Sequence, residues 1–227
     1  MSTPGLSFKL EIALHTILCI RQVYPPNTFT RRRAHGVPVY QSRHPQVCSY
    51  ISEVVAAIGK EMEVGRVRRV TVVVKQVSTG LPMERFIIDL GYLGLDKIKE
   101  RHQREAPLLG APLAEDLSLM LRGFLIRLVA LDSQLEDNRG ETTFGIILET
   151  DDDLEPSGNK TADGSAAPWV PALASDTLQP ASRSVAPVHH EPLLNVKAVE
   201  TGVIDIRLMV QECIAKTGLD ELRVDQG

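Results

Sequence analysis

Aromatic side chains are scarce in this chain. Phe, Trp and Tyr make up 4% of its 227 residues, and Trp169 is the sole tryptophan. The core must therefore be built from Leu, Ile, Val and Ala. The hydrophobic content of 43% supplies them, and a chain with that much apolar surface to bury is not disordered throughout. Long hydrophobic runs are missing as well: no stretch approaches the roughly 20 apolar residues that span a bilayer. The apolar N-terminal stretch carries both acid and base and no small-residue cleavage site, so it reads as a helix rather than a leader. Positive charge is not in excess, the formal net charge being −4. A domain that grips nucleic-acid phosphates by itself is usually clearly basic, so direct DNA binding is disfavoured. Cysteine is limited to Cys19, Cys48 and Cys213, widely spaced and without a CxxC pair, which fits a reducing compartment. There is no GxSxG, no phosphate-binding GxxxxGK[ST] loop, and no defensible catalytic pair among Asp89, Glu100 and Glu105. Neither an enzyme nor a cofactor is expected.

What is present is periodic. Residues 7–24 are apolar on most sides, as in a central helix covered by other elements, and Pro25 and Pro26 stop it. Residues 27–43 read as an irregular basic connection. Pro45 opens a second helix that runs to near Gly65, with Val47, Ile51, Val54, Ile58 and Met62 on its apolar stripe. The β-branched run RRVTVVVKQV and the run MERFIIDL flank STGLP, which predicts a hairpin over 68–90. Residues 91–111 show no clear period and read as a loop. A third helix starts at Pro112, its stripe being Leu117, Met120, Leu121, Phe124, Leu128 and Leu131, and TTFGIILET follows as a strand. The acidic DDDLEPSGNKTADGS and a Pro- and Ser-rich stretch then precede a late strand, VETGVIDIRLMVQEC. A connection that long is functional or disordered in most compact domains. The expected class is α+β, three helices packed on one mostly antiparallel sheet.

Several local features have two readings. Trp169 sits in AAPWVP, where flanking prolines exclude a helix or central strand. His189 and His190 with Glu191 offer metal ligands, but no second cluster completes a site, and a solvated loop pair is the simpler account. DDDLE at 151–155 lacks the alternating spacing of a calcium loop. The runs RRR (31–33) and RVRR (66–69) read as solvated surface, the sharper alternatives being phosphate contact, nuclear import or docking of an acidic partner.

Taken in order, IRQVYPPNTF, VPVYQSRHPQVCSYI, VTVVV, MERFIIDL, LRGFLIRL, PWV and EPLLNVK resemble the HORMA-domain family over most of residues 8–212. The likeness is best to its branch of non-catalytic subunits of DNA polymerase zeta. The resemblance implies a single HORMA domain over 7–212, with a core at about 7–150 and an acidic insert at 151–167. It implies a C-terminal "safety belt" at about 168–212 that closes over a short partner peptide laid along the sheet edge, and a flexible tail at 213–227. Tyr24, Tyr50 and Trp169 match aromatics that hold a proline-containing peptide of the catalytic subunit of DNA polymerase zeta. Arg122, Arg31 and Ser133 match positions used in HORMA homo- or heterodimers. Leu193, Arg207 and Met209 match a surface for the C-terminal domain of a deoxycytidyl-transferase translesion polymerase. Arg207 and Met209 stand where the family pattern has a glutamine and a tyrosine, which puts that surface in question. The implied role is an adaptor in translesion DNA synthesis, acting in the nucleus, with spindle-checkpoint or meiotic-axis adaptors as the alternative and a metal-dependent enzyme behind both.

Overall fold

A computed structural model describes residues 3–63, 65–92, 114–150, 169–177, 193–200, 204–213 and 215–216. The first helix, α1 (Thr3–Ile20), is apolar nearly all round, and such a helix is stable only when other elements cover it. Leu14, Ile17 and Leu18 are almost wholly buried, with α2 (Pro45–Glu63), α3 (Ala114–Ala130) and strand β2 (Val37–Ser42) around them. α1 ends four residues short of the expected limit. Gln22 takes a left-handed φ of 51°, and the Val23 N–H donates to the Leu18 carbonyl, which caps the last turn before the prolines.

Residues 29–42 correct the sequence reading. The expected irregular connection is a hairpin of β1 (Phe29–Ala34) and β2, forming a separate two-stranded sheet. Its turn is His35–Gly36, with φ of 48° and 75°. Positive φ at both central residues suits the right-handed twist of a tight hairpin, and glycine takes it without strain. The run of three arginines on β1 hid the strand: Arg31, Arg32 and Arg33 are all exposed, and only β2 carries buried valines.

The main sheet has strand order β5-β3-β4-β7-β6, every neighbouring pair antiparallel. β3 (Val67–Gln76) and β4 (Pro82–Tyr92) form the expected hairpin, and β5 is Thr142–Thr150. Val70, Val72 and Val74, with Phe86, Ile88, Leu208 and Val210, turn one face toward Ile51 and Ile58 of α2 and Leu128 of α3. On α2 Val55 is buried in place of the expected Val54, which is half-buried. The late strand is also corrected. It is two strands, β6 (Leu193–Glu200) and β7 (Ile204–Glu212), and β7 pairs with β4 at the side of the sheet away from β5. Gly202 lies between them, a turn residue inside what reads as one long alternation.

Where α1, the end of α3, β4 and β7 converge, charge is buried. The Glu84 carboxylate is fully buried; it accepts from Arg21 (Nη2–Oε1 2.5 Å, Nε–Oε2 2.9 Å) and from Lys216 Nζ at 2.6 Å. Arg21 also reaches Asp132 Oδ1 at 2.8 Å and the Glu136 carbonyl, and Lys216 reaches that same carbonyl and Glu212 Oε1, each at 2.5 Å. The residues from 213 on were expected to fray. Cys213 and Lys216 instead are buried, because Lys216 spends its charge in this cluster. The expected loop at 91–111 is corrected at its start, where Gly91 and Tyr92 continue β4 and pair with Asp205 and Ile204; from residue 93 on it lies outside the described residues, as do the expected insert at 151–167, the His189–Glu191 group and residues 217–227.

Candidate functional site

The two edges of the main sheet are treated differently. β6 carries Lys197 at a register shift between Asn195 and Lys197, and α3 packs against it. A bulge, a lysine and a covering helix each prevent a further strand from adding. β5 has none of these. Its sequence TTFGIILET contains neither lysine nor proline, its pairing with β3 runs without a break from Arg69↔Glu149 to Gln76↔Thr142, and its other side pairs with no described strand. A nine-residue edge with Phe144, Ile146, Ile147 and Leu148 half-buried at its centre, and no described strand beside it, is a template for another strand.

An aromatic rim lies on the helix side of that edge. Phe144 of β5 meets Tyr24 edge-on, with ring centroids 6.2 Å apart, and Tyr50 of α2 edge-on at 5.7 Å. Such contacts fix ring orientation. Tyr50 remains 43% exposed, so one side of its ring is open, while burial of the rest, with Tyr24 beside it, raises its phenol pKa. Phe144 is the residue that sequence reasoning missed. Its signal was available: it is the lone aromatic in a strand of aliphatics and threonines.

Trp169 is half-buried and packs against the helix-side core, with no ring contact to the two tyrosines among the described residues. A few residues later the chain is on the opposite face. There Arg85 Nη2 donates to the Ser175 carbonyl at 2.6 Å, and Lys75 pairs with Asp176, which is 5% exposed. Lys75 and Arg85 lie on the outer face, because their neighbours Val74 and Phe86 face the helices. Residues 169–177 thus pass from the helix side to the outer face and are tied down there by two cations of the sheet.

No family model matches the chain. It is 27% identical over 209 residues to the mitotic spindle assembly checkpoint protein MAD2B of Gallus gallus, covering 91% of this chain and 89% of that protein. It is 41% identical over 61 residues to the DNA polymerase zeta processivity subunit of Schizosaccharomyces pombe, which covers 27% of this chain and 29% of that one. Among solved structures, a chain of the mitotic checkpoint complex superposes with a TM-score of 0.70 at 17% identity, covering 93% of this chain and 98% of that one. HTP-2 of C. elegans bound to the HIM-3 closure motif superposes with a TM-score of 0.67 at 14% identity, covering 93% and 89%. The chain has the HORMA fold.

The other residues singled out by sequence lie on α3, on β1, just after α3 and on the β6–β7 pair. Arg122 on α3 is exposed, with its guanidinium lying over the β1–β2 turn: a Cβ placed on Gly36 would meet Arg122 Nη1 at 2.7 Å. His35 of the same turn lies 2.8 Å from Ser118 Oγ (Nδ1–Oγ), so the hairpin turn is seated on α3. Arg31 is exposed on β1, and Ser133, exposed just after α3, donates its hydroxyl to the Ala130 carbonyl. On the C-terminal hairpin, Leu193 pairs with Gln211, Asn195 with Met209 and Ala198 with Arg207. Cross-strand partners share a face, so Leu193, Met209 and Arg207 all lie on the face away from the helices. Leu193 is 45% exposed there.

Proposed function

We propose that this HORMA domain is a non-catalytic adaptor. It receives a short proline-containing peptide of the catalytic subunit of DNA polymerase zeta as an added strand on β5, and encloses it with the segment that joins β5 to β6. One observation carries this reading: β5 is bare, while the chain leaving it rejoins the sheet at the opposite edge. The connection therefore has to cross a sheet of five strands, roughly 19 Å at about 4.8 Å per strand. A strand paired with β5 lies inside the loop so formed. Main-chain hydrogen bonds supply generic affinity, and the open ring of Tyr50 with Tyr24 and Trp169 supplies flat apolar surface suited to proline. Release then requires that residues 169–177 lift from Lys75 and Arg85 or that β7 leave β4, which makes dissociation slow. The name of the polymerase zeta relative supports an adaptor role beside that polymerase; the role in translesion synthesis and the action in the nucleus are part of this proposal. The outward face bearing Leu193, Met209 and Arg207 is then a second docking surface for a translesion polymerase domain, and the Arg122, Arg31 and Ser133 surface serves HORMA pairing.

Peptides tiled across the catalytic subunit of polymerase zeta test this reading by fluorescence anisotropy, with hydrogen exchange read at β5. At least one peptide is expected to bind and to protect β5 amides, and Tyr50→Ala with Trp169→Ala to weaken it by about 2–4 kcal/mol, as for aromatic anchors of other interfaces. Equal binding by wild type and the double variant sinks the role of those aromatics. Preferential binding of spindle-checkpoint or meiotic-axis peptides would move the protein to that pathway; the name of the MAD2B relative also favours the first of the two.

A further inference from the structure

Residues 169–177 are seated on the outer face of the sheet through one short turn, Ala174–Asp176. Lys75 of β3 pairs with the Asp176 carboxylate, and Arg85 of β4 donates to the Ser175 carbonyl at 2.6 Å. Asp176 and Arg85 are 5% and 7% exposed, so this clasp works almost out of water, where a misplaced charge is costly. Arg85 is also held from other sides, by Gln211 Oε1 at 2.9 Å and Cys213 Sγ at 3.0 Å. Those bonds fix its fork on the backbone of the turn.

One member of the clasp faces solvent. Ser175 is exposed, and its hydroxyl donates at 3.3 Å to the same carboxylate that Lys75 holds. Residues 170–174, just before it, are exposed as well. The backbone ties of the turn are short-range: the Asp176 N–H donates to the Leu173 carbonyl at 2.9 Å and the Thr177 N–H to the Ala174 carbonyl at 3.4 Å. A segment held this way opens locally without unfolding the sheet, and in opening presents Ser175 to a modifying enzyme. Thr177 is half-buried and spends its hydroxyl on the Ala174 carbonyl at 3.0 Å. Ser175 is therefore the accessible hydroxyl of the turn.

We propose that Ser175 is a phosphorylation site and that its phosphate opens the clasp. A protein kinase transfers the γ-phosphoryl group of ATP to Ser175 Oγ. The Oγ–P bond forms, the bond from that phosphorus to the bridging oxygen breaks, ADP leaves, and the hydroxyl proton passes to a base of the kinase. The product carries a charge of about −1.5 to −2 on the group that had donated to the Asp176 carboxylate. A donor is thus replaced by a group that repels. The phosphate finds water on the solvent side, but Asp176 has no such recourse while the turn stays seated. Lys75 is a single ammonium shared between two anions, and Arg85 is aimed at the carbonyl rather than at Oγ. Lifting the turn relieves the repulsion, as phosphorylation beside an acidic residue does elsewhere. The inference goes beyond the strand-receiving reading of β5: it concerns the outer face of the sheet, and its test needs no peptide.

The test uses the full chain with phosphoserine installed at position 175 during translation, read by amide hydrogen exchange. The amides of Asp176 and Thr177 are expected to exchange roughly tenfold faster or more than in the unmodified chain, while those of β3 and β4 keep their protection. Asp176→Asn, which weakens the clasp without a phosphate, should speed the same two amides, and Ser175→Ala should change them little. Exchange at 176 and 177 that is unchanged or slower in the phosphoserine chain overturns the switch, because the phosphate has then joined the two cations instead of opposing Asp176. Equal acceleration in β3 and β4 overturns it too, since the whole fold rather than the clasp has given way. The site itself is tested by peptide mapping of the chain isolated from growing cells under phosphatase inhibition. Phosphate is expected on Ser175, and its absence there overturns the assignment.

Discussion

Replacing Glu84 by Gln removes the one charge that two buried cations share. Arg21, Glu84 and Lys216 are 3%, 0% and 5% exposed, so none of them can recover its hydration without unfolding. Glutamine keeps the shape and one acceptor. Arg21 retains Asp132 and the Glu136 carbonyl, and Lys216 retains Glu212 and the same carbonyl. The cluster's only fully buried anion is nonetheless gone, and the two buried cations are left to Asp132 and Glu212, which are 50% and 20% exposed and so screened by water, a loss of about 3–5 kcal/mol. Lys216→Met is the instructive contrast. Glu84 keeps its two bonds to Arg21, Glu212 is 20% exposed and returns to water, and the methionine stem fills the same space. Its loss is expected to stay under about 1.5 kcal/mol, because exchanging a buried ion pair for packed apolar atoms is often close to neutral. Urea unfolding followed by circular dichroism measures both. With a slope near 2.5 kcal/mol per molar, Glu84→Gln lowers the midpoint by roughly 1–2 M and Lys216→Met by less than about 0.6 M. A Glu84→Gln midpoint within about 0.3 M of wild type, or equal losses for the two variants, would refute the account of Glu84 as the charge that neutralises both cations.

Gly36→Ala should destabilise by about 1–3 kcal/mol, from its φ of 75° and from the clash with Arg122; adding Arg122→Ala should recover only the part due to the clash, which chemical denaturation of the double variant separates. His15 is 2% exposed, accepts from the Ser42 N–H through Nδ1, and has a pKa lowered by burial. The unfolded chain therefore takes up a proton first: stability is full above about pH 6.5 and falls as pH drops from there toward the folded pKa, by up to about 1.4 kcal/mol per unit. The pH dependence of the urea midpoint between 7.5 and 5.5 should flatten in His15→Gln. Burial, with Asp132 adding to it, pushes the Cys19 thiol up to about 11, so native protein at pH 8 should alkylate at the half-buried Cys48 well before Cys19, as peptide mass mapping would reveal.

The helices and the β3–β4 hairpin were legible because each carries its own period. Val47, Ile51, Ile58 and Met62 repeat at helical spacing and are buried as that spacing demands. β1 was not legible: its residues 31–33 are all arginine and all exposed, and a strand that buries only its first residue, Phe29, shows no alternation of its own. β6 failed for a related reason, its register shift at Asn195–Lys197 breaking the period of two. At the candidate site, Tyr24 and Tyr50 were singled out by resemblance, and the structure brings them together. What joins them is Phe144, and that meeting of a helix, the turn after α1 and an edge strand is a tertiary fact no local window contains. The clasp at Asp176 was equally invisible, since its cations come from Lys75 and Arg85, on two other strands.

The pairing of β7 with β4 has a consequence for how the protein is made. More than one hundred residues separate Tyr92 from Ile204, so translation takes on the order of 5–20 s to supply the strand that covers β4. Throughout that interval the nascent domain presents two uncovered edges, one on either side of the β5-β3-β4 core, and the second is as aliphatic as the first: FIIDL. Contacts so distant in sequence form late and slowly. A ribosome that stalls or terminates before residue 204 therefore releases a chain with no side of its sheet protected, prone to join copies of itself through both edges. The last stretch of the message thus decides whether one edge of the sheet stays open or both do.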